Sequence, residues 1–485
     1  MNFLAILRMI SFILFVVSGA FFFCGICDAF FFGNRCNGEM WMRCTEIAVL
    51  VTILFWGLSI RSEVKIFRRE ALATVGLGWI AVSIMGALPY VYICHVSFFD
   101  ALFESTSGIT TTGMSLFPEP EKLGQGILLW RALSQWIGGL GIAVFFMAMT
   151  TSMGTTAKQI FSNESYSNRP DLGSGKLKNN IFALFKIYSV LTLSCILVLL
   201  IFRMSLFDAV CHALATVSTG GFSTHSDGIA HFHSIPIELA ITFFMVLSGT
   251  NFAIFIHLTN QFYRKIYENE EVRIYYILLV VGSLITAVML YGATDHLSFL
   301  EALGKGLFHV TSAITSCGLT TCNFSDWIPS THIILLLLML CGGCTGSTAG
   351  GIKIYRVIIA IKEVFNGLIN TFRPRIVRNV YFSAKIIEPA ERESVMGFIV
   401  LFLLLFLSFL CAFVLIERQW DFTSVVSTVT ALFSNSGMPI LSPQANLADL
   451  SAVTKVIASL IMILGRVELY SVLLLFMPMF WKRYS

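Results

Sequence analysis

The sequence has 485 residues, of which 12% are charged and 56% are hydrophobic. A water-soluble domain carries about 25% charged residues, so this composition excludes a soluble globular protein. The formal net charge of +4 is small and dispersed along the chain, and it gives no support to nucleic acid as a partner. The chain is therefore expected to consist largely of membrane spans, and its length limits how many it can contain.

Runs of mostly apolar residues predict ten membrane-spanning helices, since a span needs about 20 such residues. The predicted spans lie at 3–23, 44–60, 71–93, 126–150, 180–202, 235–260, 274–293, 331–360, 395–416 and 452–480. The first run is too long for a signal-peptide core and is interpreted as a retained span. Most basic residues fall in the loops on one side, so the positive-inside rule places both termini in the cytoplasm.

The twelve cysteines are scattered, and most lie in or beside apolar segments, where they are expected to pack as small core residues. Cys24, Cys27, Cys36 and Cys44 are close enough in sequence to oxidise on the outer side. Packing is the commoner outcome for such residues, so pairing remains an open alternative.

Four outer connections share an unusual pattern, in which an apolar stretch of about ten residues precedes a polar hexapeptide with a central glycine. The hexapeptides are TTTGMS (110–115), STGGFS (218–223), TSCGLT (315–320) and SNSGMP (434–439). Ten helical residues reach only ~15 Å, about half of the hydrocarbon core. Each pattern lies between two spans, which predicts four repeats of span, re-entrant pore helix, filter-like strand and span.

This arrangement points to cation transport. Extended main chain at membrane depth is tolerated only where it lines a water-filled path. Four strands around one axis would form rings of carbonyl oxygens that replace the hydration shell of a cation. The pore helices would end at the strands, with their negative dipole ends facing the ion. Asp100 and Asp208 are expected at the positive ends, whereas Lys305 and Ser424 stand at the corresponding positions of the other two repeats.

A polar residue also recurs nine positions before each central glycine, at Glu104, His212, His309 and Thr428. We expect these side chains to bond the filter from behind. Proton coupling by the histidines is the alternative, and the sequence does not separate the two.

The eighth predicted span contains the segment CGGCTGSTAGG, from Cys341 to Gly351. Five glycines cost about 4 to 5 kcal/mol of helix propensity, which predicts a break that lines the pore below the filter. Close packing of an unbroken helix through small residues is the alternative. The last span carries Arg466 and Glu468 near mid-membrane. We expect Arg466 to face the pore near the glycine-rich loop, with an ion pair between helices as the alternative.

These repeats resemble the Trk/Ktr/HKT superfamily of potassium transporters, most closely the membrane subunit of bacterial Trk systems. The resemblance implies an N-terminal two-span extension at 1–70 and repeats at 71–152, 180–262, 274–361 and 395–485, around a central pore. It implies a gating role for the loop at 341–351, through Gly346, Gly350 and Gly351, and for Arg466. It also implies that K⁺ is coordinated by Thr111, Thr112, Gly113, Thr219, Gly220, Gly221, Ser316, Cys317, Gly318, Asn435, Ser436 and Gly437.

The resemblance further implies a homodimer in the bacterial inner membrane and a cytoplasmic, TrkA-like regulatory subunit of Rossmann type that binds NAD or ATP. The chain itself has no G-x-G-x-x-G motif, so no organic cofactor is expected in it. The basic loop at 361–394, with Arg373, Arg375 and Arg378, could dock that subunit. Anionic membrane lipid is an equally good reason for its charge.

Two other functions remain as alternatives to potassium uptake. A secondary transporter of another cation or a small solute would enclose a pocket between broken helices, without four filter copies. A membrane-embedded enzyme would need a converging set of catalytic residues, and the sequence has no H-E-x-x-H or G-x-S-x-G motif. The chain is therefore not expected to be an enzyme.

Overall fold

The computed structural model describes residues 2–33, 35–60, 68–153, 174–256, 268–293, 297–322, 327–373, 379–440, 445–467 and 469–482. Within these ranges most of the protein is helical. The only strands in the described ranges form a small antiparallel hairpin between β1 (Tyr381–Phe382) and β2 (Lys385–Ile386). Three predicted features, Glu468, Arg375 and Arg378, lie outside the described residues.

The α-helices are numbered α1 to α19 in chain order. They are α1 (Phe3–Ile26), α2 (Arg35–Ser59), α3 (Arg68–Gly86), α4 (Leu88–Ile93), α5 (Phe98–Ile109), α6 (Gln125–Met153), α7 (Ser174–Ile201), α8 (Leu206–Val217), α9 (Ile235–Gly249), α10 (Phe252–Ile256), α11 (Glu270–Ala293), α12 (Phe299–Ile314), α13 (Pro329–Cys341), α14 (Ile354–Phe372), α15 (Pro389–Ile416), α16 (Phe422–Phe433), α17 (Ala452–Arg466), α18 (Tyr470–Leu473) and α19 (Pro478–Trp481). A π-helical turn (Cys27–Phe31) and 3₁₀ turns (Pro120–Lys122, Gly228–Phe232, Leu447–Asp449 and Leu474–Phe476) link some of them.

Six helical segments of the described chain are long and apolar enough to cross a membrane. They are Phe3–Phe31, Asn37–Ser59, Arg69–Ile93, Phe182–Ile201, Glu270–Ala293 and Pro389–Ile416. In α15, Leu403, Leu404 and Leu407 are about half exposed although they are apolar. Such a surface is stable in lipid and not in water, because no polar face is available to water. The fold is that of an all-helical membrane protein.

Three predicted spans are broken in the structure. The break in 331–360 was expected: α13 ends at Cys341, α14 begins at Ile354, and the packing alternative of an unbroken helix is therefore wrong. The single helices predicted for 235–260 and 452–480 are also wrong, since α9 ends at Gly249 and α17 ends at Arg466. The carbonyl of Gly249, the last residue of α9, accepts a hydrogen bond from the N–H of Cys344 (3.0 Å). A residue distant in sequence therefore satisfies the end of this helix.

The four short helices α5, α8, α12 and α16 lie in the interior, and most of their residues are buried. Each begins at a capping residue whose side chain accepts from the third backbone N–H of the helix; these caps are Ser97, Ser205, Ser298 and Asp421. Such caps satisfy orphan N–H groups. Helices α6, α9 and α17 pack around the short helices. The interior of the protein is thus built around the four hexapeptides that follow them.

Candidate functional site: a ring of four main-chain segments

Each predicted filter segment leaves its short helix through the same turn. The first residue of each predicted ligand trio has a positive φ of 52° to 55°; these residues are Thr111, Thr219, Ser316 and Asn435. The next N–H bonds back to the helix, as from Thr112 to the Ser107 carbonyl over 2.9 Å. This is a Schellman motif, which usually needs glycine at the position of positive φ. A different residue there costs about 1 to 3 kcal/mol, so tertiary packing holds four strained turns in place.

The four central glycines close a ring. Their φ values are 61° to 82°, and a Cβ atom on any of them would overlap the carbonyl oxygen that precedes the glycine of the next repeat. The contacts, glycine first, are Gly113 with Gly220, Gly221 with Cys317, Gly318 with Ser436, and Gly437 with Thr112. The order returns to its starting point. The segments therefore meet around one centre, and only glycine fits where they touch.

The predicted ligand trios lie at this ring. In each trio, the first residue has the positive φ and the third is the central glycine. The carbonyl oxygen of the second residue lies against the central glycine of the preceding segment. The carboxyl ends of α5, α8, α12 and α16 lead directly into the ring, and helix carboxyl ends carry partial negative charge. A cation at the centre would be favoured both by these dipoles and by the carbonyl oxygens.

The amino-terminal ends of the short helices are more uniform than the sequence indicated. Asp100 and Asp208 occupy the third helical position as expected. The third repeat was misassigned, because α12 is one turn longer than the other short helices. Glu301 stands at its third position and forms a capping box with Ser298, whereas Lys305 lies within the helix. Only in α16 does a non-acidic residue, Ser424, take this place.

Three of the four recurring polar residues bond the chain just beyond the ring. Glu104 accepts from the N–H of Leu116 (2.9 Å), and the Nε2 atom of His309 accepts from the N–H of Thr321 (3.3 Å). His212 bonds the hydroxyl of Ser223 over 3.1 Å. The expected hydrogen bond to main chain is found for Glu104 and His309, one residue beyond each hexapeptide, whereas the partner of His212 is a side chain. Thr428 departs from it, since its hydroxyl has no hydrogen-bond partner among the described residues.

Sequence reasoning missed two buried residues of α6. Arg131 forms an ion pair with Glu104 (Nε to Oε1, 3.0 Å), and its Nη2 donates to the hydroxyl of Ser115 (2.8 Å). One turn later, Gln135 bonds the second filter segment. A charged residue within a predicted span was the available signal for Arg131. Nothing in the local sequence marks Gln135.

At the amino-terminal end of α5, an ion pair joins this helix to α17. The Nζ atom of Lys455 lies 2.6 Å from Oδ1 of Asp100. Nearby, Glu417 accepts from the Thr454 hydroxyl (2.6 Å) and the Ser451 N–H (2.9 Å). Burial alone would raise the pKa of Glu417, but these hydrogen bonds outweigh burial, and the pKa is lowered.

The glycine-rich loop lies against the residues that lead into the ring. The N–H of Gly350 donates to the Ser316 hydroxyl (3.2 Å), and a Cβ atom on Gly350 would overlap the Ser434 carbonyl. Gly346 and Gly351 have φ values of 76° and 79°, which glycine adopts without strain. The three predicted gate glycines thus lie in one non-helical segment, and Gly350 lies beside the carboxyl ends of α12 and α16.

Two side chains hold this loop. Glu271 of α11 accepts from the N–H and the hydroxyl of Thr345, at 2.6 and 2.9 Å. Arg466 donates from Nη1 to the carbonyl of Thr348 (2.6 Å) and from Nη2 to the carbonyl of Gly138 (3.1 Å). Arg466 is near the loop as predicted. The alternative of an ion pair finds no support, because its hydrogen-bond partners among the described residues are main-chain oxygens.

Comparison with known proteins agrees with this geometry. The family model "TrkH: Cation transport protein" matches residues 47–483. The chain is 32% identical to the Trk system potassium uptake protein TrkG of Escherichia coli (strain K12) over 436 residues, which cover 88% of each chain. It is 29% identical to TrkH of Salmonella typhimurium over 489 residues, which cover 99% of this chain and 100% of that one.

A solved structure also matches. The crystal structure of the potassium transporter TrkH from Vibrio parahaemolyticus superposes with a TM-score of 0.89 at 26% identity, covering 99% of this chain and 100% of that one. A helical membrane fold with a central ring of main-chain oxygens defines a transport protein for cations. The chain belongs to the TrkH family of cation transport proteins, and it is a Trk-type transporter and not an enzyme.

Proposed function

We propose that this chain takes up potassium across the bacterial inner membrane, through a pore whose narrowest part is the ring of Gly113, Gly221, Gly318 and Gly437. The observation that carries the proposal is the closed order of the four glycine contacts. The named relatives are potassium uptake proteins of the Trk system, which favours K⁺ over other cations as the transported ion.

In this proposal the twelve residues of the ligand trios supply the main-chain oxygens that bind K⁺. The architecture is ten transmembrane helices and four re-entrant pore helices, arranged as four span/pore-loop/span repeats after an N-terminal extension. This architecture is supported by the side-chain cap at the start of each short helix and by the turn that follows each short helix. The contact of each central glycine with the next segment supports it as well. Both termini lie in the cytoplasm, on the side where most basic residues of the loops are found.

The gate in this proposal is the glycine-rich segment from Cys341 to Gly351, with Gly346, Gly350 and Gly351, together with Arg466. It touches the inner side of the ring, and hydrogen bonds from two sides fix it, which is what a closed barrier below the filter requires. Opening of the gate would break the hydrogen bonds that Glu271 and Arg466 make with Thr345 and Thr348. Water in the pore would then form hydrogen bonds with the released main-chain groups.

Regulation is assigned to partners outside this chain. A cytoplasmic TrkA-like subunit of Rossmann type, which binds NAD or ATP, would dock on the inner loops, and a second copy of the chain would complete a homodimer. The relatives' membership of a Trk system supports this part of the proposal. The β1–β2 hairpin on these loops is tied to α14 and α11, since Lys362 donates to the Tyr381 carbonyl (2.7 Å) and Glu270 accepts from the Ser383 N–H (3.2 Å).

The proposal is tested by ion flux in liposomes that contain the purified chain. We expect rubidium-86 uptake down a potassium gradient, competition by K⁺, and much weaker competition by Na⁺. The variant Gly113→Ala should abolish this preference, because its Cβ would overlap the Gly220 carbonyl. Gly19→Ala is the matched control, since a Cβ atom on Gly19 would enter open space, with nothing within 4 Å. No rubidium flux with correctly inserted protein contradicts potassium uptake, whereas flux of an organic solute would favour a secondary transporter.

A further inference from the structure

The second filter segment is built differently from the other three. The residue that precedes each central glycine has a side chain in three repeats, namely Thr112, Cys317 and Ser436. In the second repeat this residue is Gly220. Two consecutive glycines have the greatest conformational freedom that a chain allows, so the Gly220 peptide needs support from elsewhere if its carbonyl is to stay in the ring.

Gln135 of α6 supplies that support. Its Nε2 atom donates to the Gly220 carbonyl (2.7 Å), and its Oε1 atom accepts from the N–H of Phe222 (3.2 Å). The two partners fix the orientation of the amide, because a carbonyl needs a donor and an N–H needs an acceptor. Gln135 is fully buried, and it also fills the space of the missing side chain: a Cβ atom on Gly220 would lie 2.6 Å from Oε1 of Gln135.

The other repeats use a different residue at this place. The segments QWIGG (135–139), MVLSG (245–249) and MILGR (462–466) lie at corresponding positions in α6, α9 and α17, and the corresponding segment MLCGG (339–343) runs across the end of α13. Their first residues are Gln135, Met245, Met339 and Met462, and all four are fully buried. Three of these four helix positions carry a buried methionine, and three of the four filter residues before the glycine have a side chain. The one filter residue without a side chain, Gly220, is bonded by the one buried amide, that of Gln135.

We infer that Gln135 is a positioning residue for ion selectivity, which holds the Gly220 carbonyl in the ring by a hydrogen bond from a neighbouring repeat. This inference rests on the proposed potassium pore. Discrimination between K⁺ and Na⁺ requires oxygens that do not close in around the smaller ion. Without the amide, the flexible Gly220 peptide rotates or moves inward and accommodates Na⁺.

The test compares K⁺ and Na⁺ flux in liposomes for Gln135→Met, which conserves volume and copies the other repeats. Loss of one buried hydrogen bond corresponds to about a fivefold fall in the preference for K⁺. Gln125→Met, an exposed position at the start of the same helix, is the control and should keep the wild-type ratio. Gln135→Met with Gly220→Cys recreates the residue pair of the third filter and should recover most of the preference.

A folded Gln135→Met protein with the wild-type ratio would overturn the inference, as would a double variant that recovers nothing. If Gln135→Met does not fold, Gln135→Leu replaces it, since leucine is similar in size and has neither a donor for Gly220 nor an acceptor for Phe222. An unchanged ratio in Gln135→Leu is then equally contradictory. Absence of K⁺ preference in the wild-type chain would instead refute the proposed function.

Discussion

The guanidinium of Arg466 donates from Nη1 to the carbonyl oxygen of Thr348 over 2.6 Å. This bond joins the end of α17 directly to the glycine-rich loop. A second bond, from Nη2 to the Gly138 carbonyl, extends the connection to α6. One side chain thereby links the loop to both α6 and α17.

Replacement of Arg466 should therefore increase basal flux. Arg466→Gln removes a buried positive charge and the bonds that hold the loop, and a hydrogen bond to a charged group contributes about 1.5 to 3 kcal/mol. We expect a roughly tenfold or greater rise in rubidium uptake by liposomes. Arg418→Gln, at an exposed arginine, serves as the control. Unchanged uptake in Arg466→Gln would remove the barrier role.

Glu271 should act on the same loop from the opposite side. Glu271→Gln weakens the bonds to the N–H and hydroxyl of Thr345, because a neutral amide is a poorer acceptor than a carboxylate. We expect a several-fold rise in uptake, smaller than that of Arg466→Gln. Exposed Glu393→Gln provides the matched comparison. If Glu271→Gln instead lowers uptake while the protein stays folded, Glu271 does not hold the gate closed.

The buried pair of Glu104 and Arg131 should matter mainly for stability of the first filter. Loss of one partner leaves a buried charge without compensation, which costs about 3 to 5 kcal/mol, whereas replacement of both is much less harmful. Arg131→Met should lower the melting temperature in detergent strongly. Glu104→Met combined with Arg131→Met should recover part of that loss. Additive losses in the double variant would indicate that the two side chains act independently.

The ring and the loop could be predicted from the sequence because each has a repeated or concentrated signal. Gly113, Gly221, Gly318 and Gly437 recur in one pattern at four places, and five glycines in eleven residues exclude an ordinary helix. The glycine positions and the break after Cys341 followed from these signals, whereas the twelve ligand positions were implied by the family resemblance. Whether K⁺ binds at those positions remains a prediction.

Other features depend on contacts between distant residues, which no local pattern contains. The last carbonyl of α9 is taken by the Cys344 N–H, and α17 ends where Arg466 reaches the loop, so neither break was predicted. Because α12 is one turn longer than the other short helices, Glu301 and not Lys305 occupies its third position. Gln135 lies in a mostly apolar helix, and its role is visible only beside Gly220.

The most direct test of the central claim is to locate a heavy alkali ion in crystals of the protein grown with rubidium. Anomalous scattering should show Rb⁺ on the axis of the ring, enclosed by the carbonyl oxygens of Thr112, Gly220, Cys317 and Ser436. A well-ordered ring with no ion on its axis, and Rb⁺ bound elsewhere in the molecule, would contradict the account.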